Sequence, residues 1–170
     1  MLLPARTDAS SSASETIGSS VTVTFSPIAS STVLAQPTTF GSFGELIISC
    51  VGGGTACGSQ SLGGLNLYIN VGQSSPSMGN GSIPGGVIVG SVSGTASNAT
   101  ITWPVANSVT IGDIKYSIAN NPLALVPPSV NAGVTSVQAI ISDQTVPEPS
   151  TYAMLASGLL GLGLLGRRRS

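Results

Sequence analysis

The sequence predicts an all-β protein: a β-sandwich or jelly-roll body of roughly seven to nine short strands, followed by a single C-terminal transmembrane helix. Two observations predict the body. Short runs of β-branched, aromatic and aliphatic residues are separated by clusters of Gly, Pro, Asn and Ser, and no ten-residue stretch before residue 150 shows the period of an amphipathic helix. A third observation, an uncharged apolar run close to the C-terminus, predicts the helix.

Eight segments are predicted to form strands. The two-residue alternation is clearest in residues 65–71, where Leu, Ile and Val alternate with Asn and Tyr. Pro127 and Pro128 make residues 123–126 a short edge strand, because proline cannot donate to a sheet ladder. Residues 74–86 are rich in turn-forming residues and are predicted to be a connection. In chain order the predicted strands are residues 21–25, 46–50, 65–71, 87–92, 99–103, 114–118, 123–126 and 134–141.

Composition divides the chain into three parts. Residues 1–20 are rich in Ser, Thr and Ala without periodicity, so we expect a flexible arm there. Residues 21–145 are long enough for one β-sandwich domain with one core, and residues 146–170 form a separate terminal segment. The predicted core consists of Phe25, Leu46, Ile48, Leu65, Leu67, Ile69, Val71, Val89, Ile101, Trp103, Ile114, Tyr116, Ile118, Val137, Ala139 and Ile141.

The terminal segment contains the predicted transmembrane helix, residues 152–166, which carries no charge. Such a helix is roughly 22 Å long, and the two preceding residues and the stems of the following arginines extend its span toward the ~30 Å of a bilayer core. Arg167, Arg168 and Arg169 form a membrane stop on the cytoplasmic side, which places the body on the opposite side. A buried helix of a soluble fold is the alternative, but the four glycines of this segment disfavour it.

Pro147, Glu148 and Pro149 precede this helix. Each proline fixes its φ, and Glu148 is held extended because a proline follows it. An extended acidic tripeptide just outside a membrane is a suitable recognition element for a protease or transpeptidase. A plain linker joint is the alternative interpretation.

The ordered set of tripeptide, apolar helix and arginine cluster resembles the PEP-CTERM sorting signal of exported Gram-negative proteins. The resemblance implies processing by an exosortase, a membrane-embedded transpeptidase-like enzyme, and a place where exopolysaccharide and biofilm matrix are made. It implies an inner-membrane precursor with a periplasmic body that later reaches the cell surface or the exterior. Because residues 1–7 contain no apolar signal-peptide segment, we expect one upstream of Met1. Residues 40–46 and 64–67, with the cysteine pair, resemble β-sandwich domains found upstream of such anchors.

Cys50 and Cys57 are the only cysteines of the chain, and three glycines lie between them. Outside the cytoplasm such a pair is expected to form a disulfide. A metal or redox site is the alternative. A metal would need further ligands, and the chain has no His and no other Cys, while the spacing is not that of a C-x-x-C redox motif.

Catalytic groups are scarce, so we expect no enzymatic activity. Without His, a Ser-His-Asp or Cys-His arrangement cannot be built, and a Ser-Lys dyad would depend on Lys115 within a predicted strand. Glu45, Asp113 and Asp143 are too scattered to favour a glycosidase. No cofactor is expected. A single Ca²⁺ ion bound by Asp113, Asp143 and backbone carbonyls is the alternative. Charged residues make up 6% of the chain, which excludes the basic patch of a nucleic-acid binder.

Two functions remain in competition for the body. The first is a non-enzymatic structural protein of the cell surface, extracellular matrix or biofilm. The second is a lectin-like module that binds exopolysaccharide. Such a module usually presents aromatic rings to sugars, so a solvent-facing patch with two aromatics would favour it.

Overall fold

The computed structural model describes residues 5–8, 13–28, 30–33, 38–145 and 157, and it confirms that the body is all-β. The described residues contain fourteen strands and one short 3-10 helix, Asn131–Gly133. Every pair of neighbouring strands is antiparallel.

The strands form two six-stranded sheets and one small pair. Sheet 1 contains β1 (Ala5–Asp8), β4 (Ser30–Val33), β7 (Asn66–Gln73), β8 (Gly79–Val89), β10 (Thr100–Thr102) and β13 (Leu123–Ala124), in the order β13-β10-β8-β7-β1-β4. Sheet 2 contains β2 (Ala13–Ile17), β3 (Val21–Pro27), β5 (Thr38–Cys50), β11 (Ser108–Ile111), β12 (Ile114–Ile118) and β14 (Val134–Asp143), in the order β11-β12-β14-β5-β3-β2. The pair consists of β6 (Gln60–Ser61) and β9 (Ser91–Val92).

One hydrophobic cluster takes its side chains from both sheets. Ile69, Val71 and Ile88 enter it from sheet 1, and Ile48 and Val137 enter it from sheet 2. β7 and β12 place alternate residues in the cluster, as the two-residue period of a β-strand requires. Fifteen of the sixteen residues predicted for the core are buried or packed partly buried against the cluster.

A hydrogen-bonded chain of polar groups crosses this core. The Tyr116 hydroxyl on β12 donates to Gln73 Oε1 on β7 at 2.8 Å, and both side chains are buried. Gln73 Nε2 in turn donates to the backbone carbonyl of Ser77 at 2.8 Å and to its hydroxyl at 3.1 Å. Sheet 1 and sheet 2 are therefore joined by a specific bond as well as by apolar packing.

Val89 is the core prediction that proved wrong, since its side chain is 47% exposed. Residues 87–89 are all apolar, so the sequence does not show which of them face inward. A β-bulge determines which of these residues face inward. Leu67 pairs with Gly86 and Ile69 pairs with Ile83, so Pro84 and Gly85 together lie opposite Tyr68. The extra residue shifts the alternation of β8, and Ile88 faces the core in place of Val89.

The first half of β8 was expected to be a connection, but it is paired with β7 from Gly79 onward. Its glycines have a packing role that a propensity argument does not reveal. A Cβ on Gly79 would lie 2.6 Å from Cγ2 of Ile111 on β11, and Gly81 faces Val109 of the same strand. Small residues on β8 thus allow the edge strand of sheet 2 to approach sheet 1 closely.

Two strands lie in the range expected to be a flexible arm, residues 1–20. β2 pairs with β3 along its whole length, through a turn in which Gly18 has a positive φ of 59°. The Ser and Thr residues that looked like a low-complexity arm are cross-strand partners here. Hydroxyl groups of Ser14 and Thr24 are 3.0 Å apart. β1 pairs with β4 and β7 in sheet 1.

Replacement of Tyr116 by Phe is expected to lower the free energy of unfolding by about 1–3 kcal/mol, because Gln73 Oε1 is left buried without its donor. Urea denaturation of the two proteins measures this difference. Tyr68→Phe, which removes a hydroxyl from a residue that is 65% exposed, is the matched control and should change little. Equal effects of the two substitutions would contradict a stabilising role for the buried bond.

Burial raises the pKa of Tyr116 to about 12. An unfolded Tyr has a pKa of about 10, so the folded state binds this proton more tightly. The stabilisation is complete below pH ~10 and is lost as the pH rises from ~10 to ~12. We expect the urea midpoint to fall in this window, and less steeply in Tyr116→Phe. If the urea midpoints of both proteins fall equally steeply with pH, Tyr116 does not contribute to the pH dependence of stability.

Candidate functional site

The sorting residues predicted from the sequence lie outside the part of the chain that the structure describes. These are Pro147, Glu148, Pro149 and the arginines at 167–169. The same holds for the predicted helix 152–166, of which only Ser157 is described, in helical conformation. Within the described residues no helix has the length and apolar character that crossing a membrane requires.

Cys50 and Cys57 form a disulfide, with their Cα atoms 5.5 Å apart. Cys50 is the last residue of β5 and is buried, while the loop that follows it is exposed. Gly52, Gly53 and Gly54 in this loop all have a positive φ, which residues with a Cβ rarely adopt. The backbone N–H of Gly94 donates to the Cys57 carbonyl at 3.1 Å, so the disulfide loop is also attached to the segment after β9.

Asp113 and Asp143 meet at one corner of sheet 2. Asp113 lies in the turn between β11 and β12, and its carbonyl accepts a 2.7 Å hydrogen bond from the backbone N–H of Gln144. Asp143 Oδ1 accepts a 2.8 Å bond from the Thr145 backbone N–H, which lowers the pKa of that carboxyl. Glu45 lies on β5, opposite Ser136 and Ser26, and does not join this corner. No group of three or more His, Cys, Asp or Glu able to hold a metal is found among the described residues.

Lys115, the base that a Ser-Lys dyad would need, lies on β12 between Thr110 and Ser142 of the neighbouring strands. Its neighbours in the strand, Ile114 and Tyr116, face the core, so Lys115 belongs to the outer face of sheet 2. This placement is the one that the alternation of residues 114–118 predicts.

A cleft of about 120 Å³ opens between the two sheets. Its walls are mainly apolar and include Phe25, Leu67 and Ile88, and the carboxyl-bearing Glu15 and the amide-bearing Asn66 also line it. The volume corresponds to a few methyl groups. The cleft is a continuation of the apolar core and holds no cluster of reactive groups.

Two aromatic side chains of the described body are strongly exposed, and they belong to different sheets. Tyr68 on β7 of sheet 1 is 65% exposed, and Phe40 on β5 of sheet 2 is 74% exposed. Trp103, Tyr116 and Phe43 are buried, and Phe25 is packed against the core. The described residues therefore contain no solvent-facing patch with two aromatics.

Tyr68 lies on an uncharged surface of β7 and β8, which we call the Tyr68 face and which borders the exposed Val87 opposite Asn66. It consists of Asn66, Tyr68 and Asn70 of β7, with Ser82 and Gly85 of β8. The three β7 residues are exposed and alternate with the buried Leu67 and Ile69. Ser82 lies directly opposite Asn70. The sequence already contained the signal, since Tyr68 shares the phase of the two asparagines in the alternation of residues 65–71.

The comparisons with known proteins concern the other end of the chain. The family model described as the PEP-CTERM protein-sorting motif matches residues 145–169. No curated protein and no solved structure matches the chain. The match confirms the resemblance identified from the tripeptide, the apolar run and the arginines, and it marks the chain as an exported substrate of exosortase sorting.

The purified native protein is expected to show no free thiol until it is reduced, because both cysteines are in the disulfide. Cys50→Ser with Cys57→Ser should lower the free energy of unfolding by roughly 2.5 kcal/mol on the loop-entropy model for so small a ring. Thiol titration and urea denaturation measure the two effects. Two reactive thiols in native, exported protein would contradict the pairing.

Proposed function

We propose that the mature protein is a non-enzymatic component of the cell surface or extracellular matrix, delivered there by its C-terminal sorting tag. The observation that carries the proposal is the match of residues 145–169 to the PEP-CTERM motif. A biofilm-related role follows from the setting in which such tags are used. The exosortase is then the partner that recognises Pro147, Glu148 and Pro149.

The topology follows from the order of the tag. In the proposed topology residues 152–166 cross the membrane, and the three arginines after them stay on the cytoplasmic side. The body is then on the periplasmic side of the inner membrane until the tag is processed. The disulfide between Cys50 and Cys57 suits this side, because thiols oxidise readily in the periplasm.

The body is proposed to be a β-sandwich, with the two six-stranded sheets as its layers. The shared hydrophobic cluster and the Tyr116–Gln73 hydrogen bond between sheets support this arrangement. The non-enzymatic role is supported by chemistry: the chain has no His, and its two cysteines are bonded to each other. Its one Lys, Lys115, lies on an outer face.

A second candidate function is binding of exopolysaccharide. The Tyr68 face favours it, since an exposed ring flanked by amides is a recognised way to hold a sugar. The separation of Tyr68 and Phe40 on different sheets counts against a surface with two stacking rings.

The sorting proposal is tested in cells that carry or lack an exosortase. With the enzyme, the mature protein should lose the mass of the tag and leave the inner-membrane fraction; without it, the intact chain should stay in the inner membrane. Replacement of Pro147, Glu148 and Pro149 by Ala should leave the intact chain in the inner membrane in both strains. Intact-mass spectrometry of fractionated cells is the measurement.

Pro127→Ala with Pro128→Ala is the control for loss of prolines elsewhere in the chain, and its processing should match that of the unaltered protein. If mass and location depend neither on the enzyme nor on residues 147–149, the sorting proposal is wrong.

A further inference from the structure

We propose that the Tyr68 face binds an uncharged polysaccharide, with the Tyr68 ring as its stacking platform. This inference rests on the second candidate function above and names the site and the ligand class for it. Three independent features of the face support it: the placement of the ring, the amides beside it, and the absence of charge on the strands that form it.

The ring is placed by the β-bulge in β8. Pro84 and Gly85 lie together opposite Tyr68, and a Cβ on Gly85 would be 2.6 Å from Cε1 of the Tyr68 ring. Only a residue without a side chain allows the ring to lie this close to the backbone of the neighbouring strand. The ring is thus supported by β8 and remains 65% exposed, so it presents a large surface to a ligand. Bulges often direct a side chain at functional sites.

The ring also has the chemistry that sugars require. The face of an aromatic ring carries a negative quadrupole, and the axial C–H groups of a pyranose carry a small positive charge. Stacking of the two buries apolar area without removing the sugar hydroxyls from water. A phenolic ring needs no charge for this contact.

Asn66 and Asn70 stand on either side of the ring, each about 6.5–7 Å away along β7. The Asn66 amide donates a long 3.4 Å bond to the Gly64 carbonyl. The side chain of Asn70 has no hydrogen-bond partner among the described residues, and Ser82 lies opposite it. Amides and a hydroxyl both donate and accept, which matches the mixed character of sugar hydroxyls.

The charge of the surface decides the ligand class. β7 and β8, which carry the Tyr68 face, and β10 and β13 beyond them contain no Asp, Glu, Lys or Arg. β1, on the other side of β7, contains one charged residue of each sign, Arg6 and Asp8. A nucleic acid or an anionic polysaccharide would find no net counter-charge on these strands, because Arg6 is balanced by Asp8, and polyanion binding depends strongly on such a charge. A neutral polymer needs no counter-charge, so the lack of net charge on this surface does not weaken its binding.

The test uses the full-length chain in detergent, so that its result is independent of exosortase processing. Affinity electrophoresis is run in gels that contain hydroxyethylcellulose, a neutral galactomannan, a neutral mannan or, as the anionic comparison, alginate. The unaltered protein should be retarded by at least one neutral polymer. Tyr68→Ala should weaken that binding about tenfold, and Tyr68→Phe, which keeps the ring, should stay within about threefold.

Phe40→Ala is the matched control, because it removes an equally exposed ring from the other sheet and should leave the retardation unchanged. Asn70→Ala should weaken binding several-fold. Thermal melting of each variant shows that the fold is kept, which is expected for exposed positions. No retardation by any neutral polymer, retardation by alginate alone, or equal retardation of Tyr68→Ala and Phe40→Ala overturns the proposal. A negative result here leaves exosortase sorting untouched, because processing is measured separately.

Discussion

The hydrogen bond from Tyr116 to Gln73 is the interaction on which the arrangement of the two sheets depends. Apolar packing has no direction, and many relative positions of two sheets bury similar areas. A buried hydroxyl and a buried amide do not share this freedom, because any shift of one sheet leaves both unsatisfied. Gln73 also binds Ser77 with its Nε2 group, so the segment after β7 is fixed by the same side chain. The connection between β7 and β8 is therefore attached to the same buried chain of bonds.

The bulge in β8 connects this core to the surface. In residues 79–83 of β8 the odd-numbered residues face the core, and in residues 86–88 the even-numbered residues face it. The extra residue of the bulge at Pro84 and Gly85 produces this change. One of these two residues, Gly85, lies against the Tyr68 ring. The bulge that keeps Ile83 and Ile88 in the core thus also determines the placement of the Tyr68 ring. Tyr68 is the only strongly exposed aromatic residue in the described strands of sheet 1. The bulge is therefore the common cause of the core packing of β8 and of the exposed position of the Tyr68 ring.

Sequence reasoning succeeded where alternation is unambiguous and failed where tertiary contacts override it. Residues 114–118 and 65–71 show a clean two-residue period, and both are strands with the expected inward faces. Residues 79–86 have the composition of a turn, yet they are a strand because their glycines receive Val109 and Ile111 of β11. Ser14 and Thr16 look like part of an arm and become a strand by pairing with Thr22 and Thr24. The sorting tag could be identified from sequence alone because its signal is linear. The outward phase of Tyr68 is visible in the alternation of residues 65–71, but the contact of its ring with Gly85 needed the structure, because that contact depends on a bulge.

The distribution of charge gives the sorting segment and the body different surface chemistry. Three of the five basic residues lie at 167–169, and Glu148 is one of six acidic residues. The sorting segment therefore carries the charges that a membrane and an enzyme can recognise. The body before it has only two basic and five acidic residues. Long-range attraction cannot select a partner for such a surface. Selectivity must come from short-range contacts, which are stacking on an exposed ring and hydrogen bonds from amides and hydroxyls. In the binding proposed for the Tyr68 face, a neutral, hydroxyl-rich polymer would offer many weak contacts of this kind along its length, and several copies of the protein would hold it together.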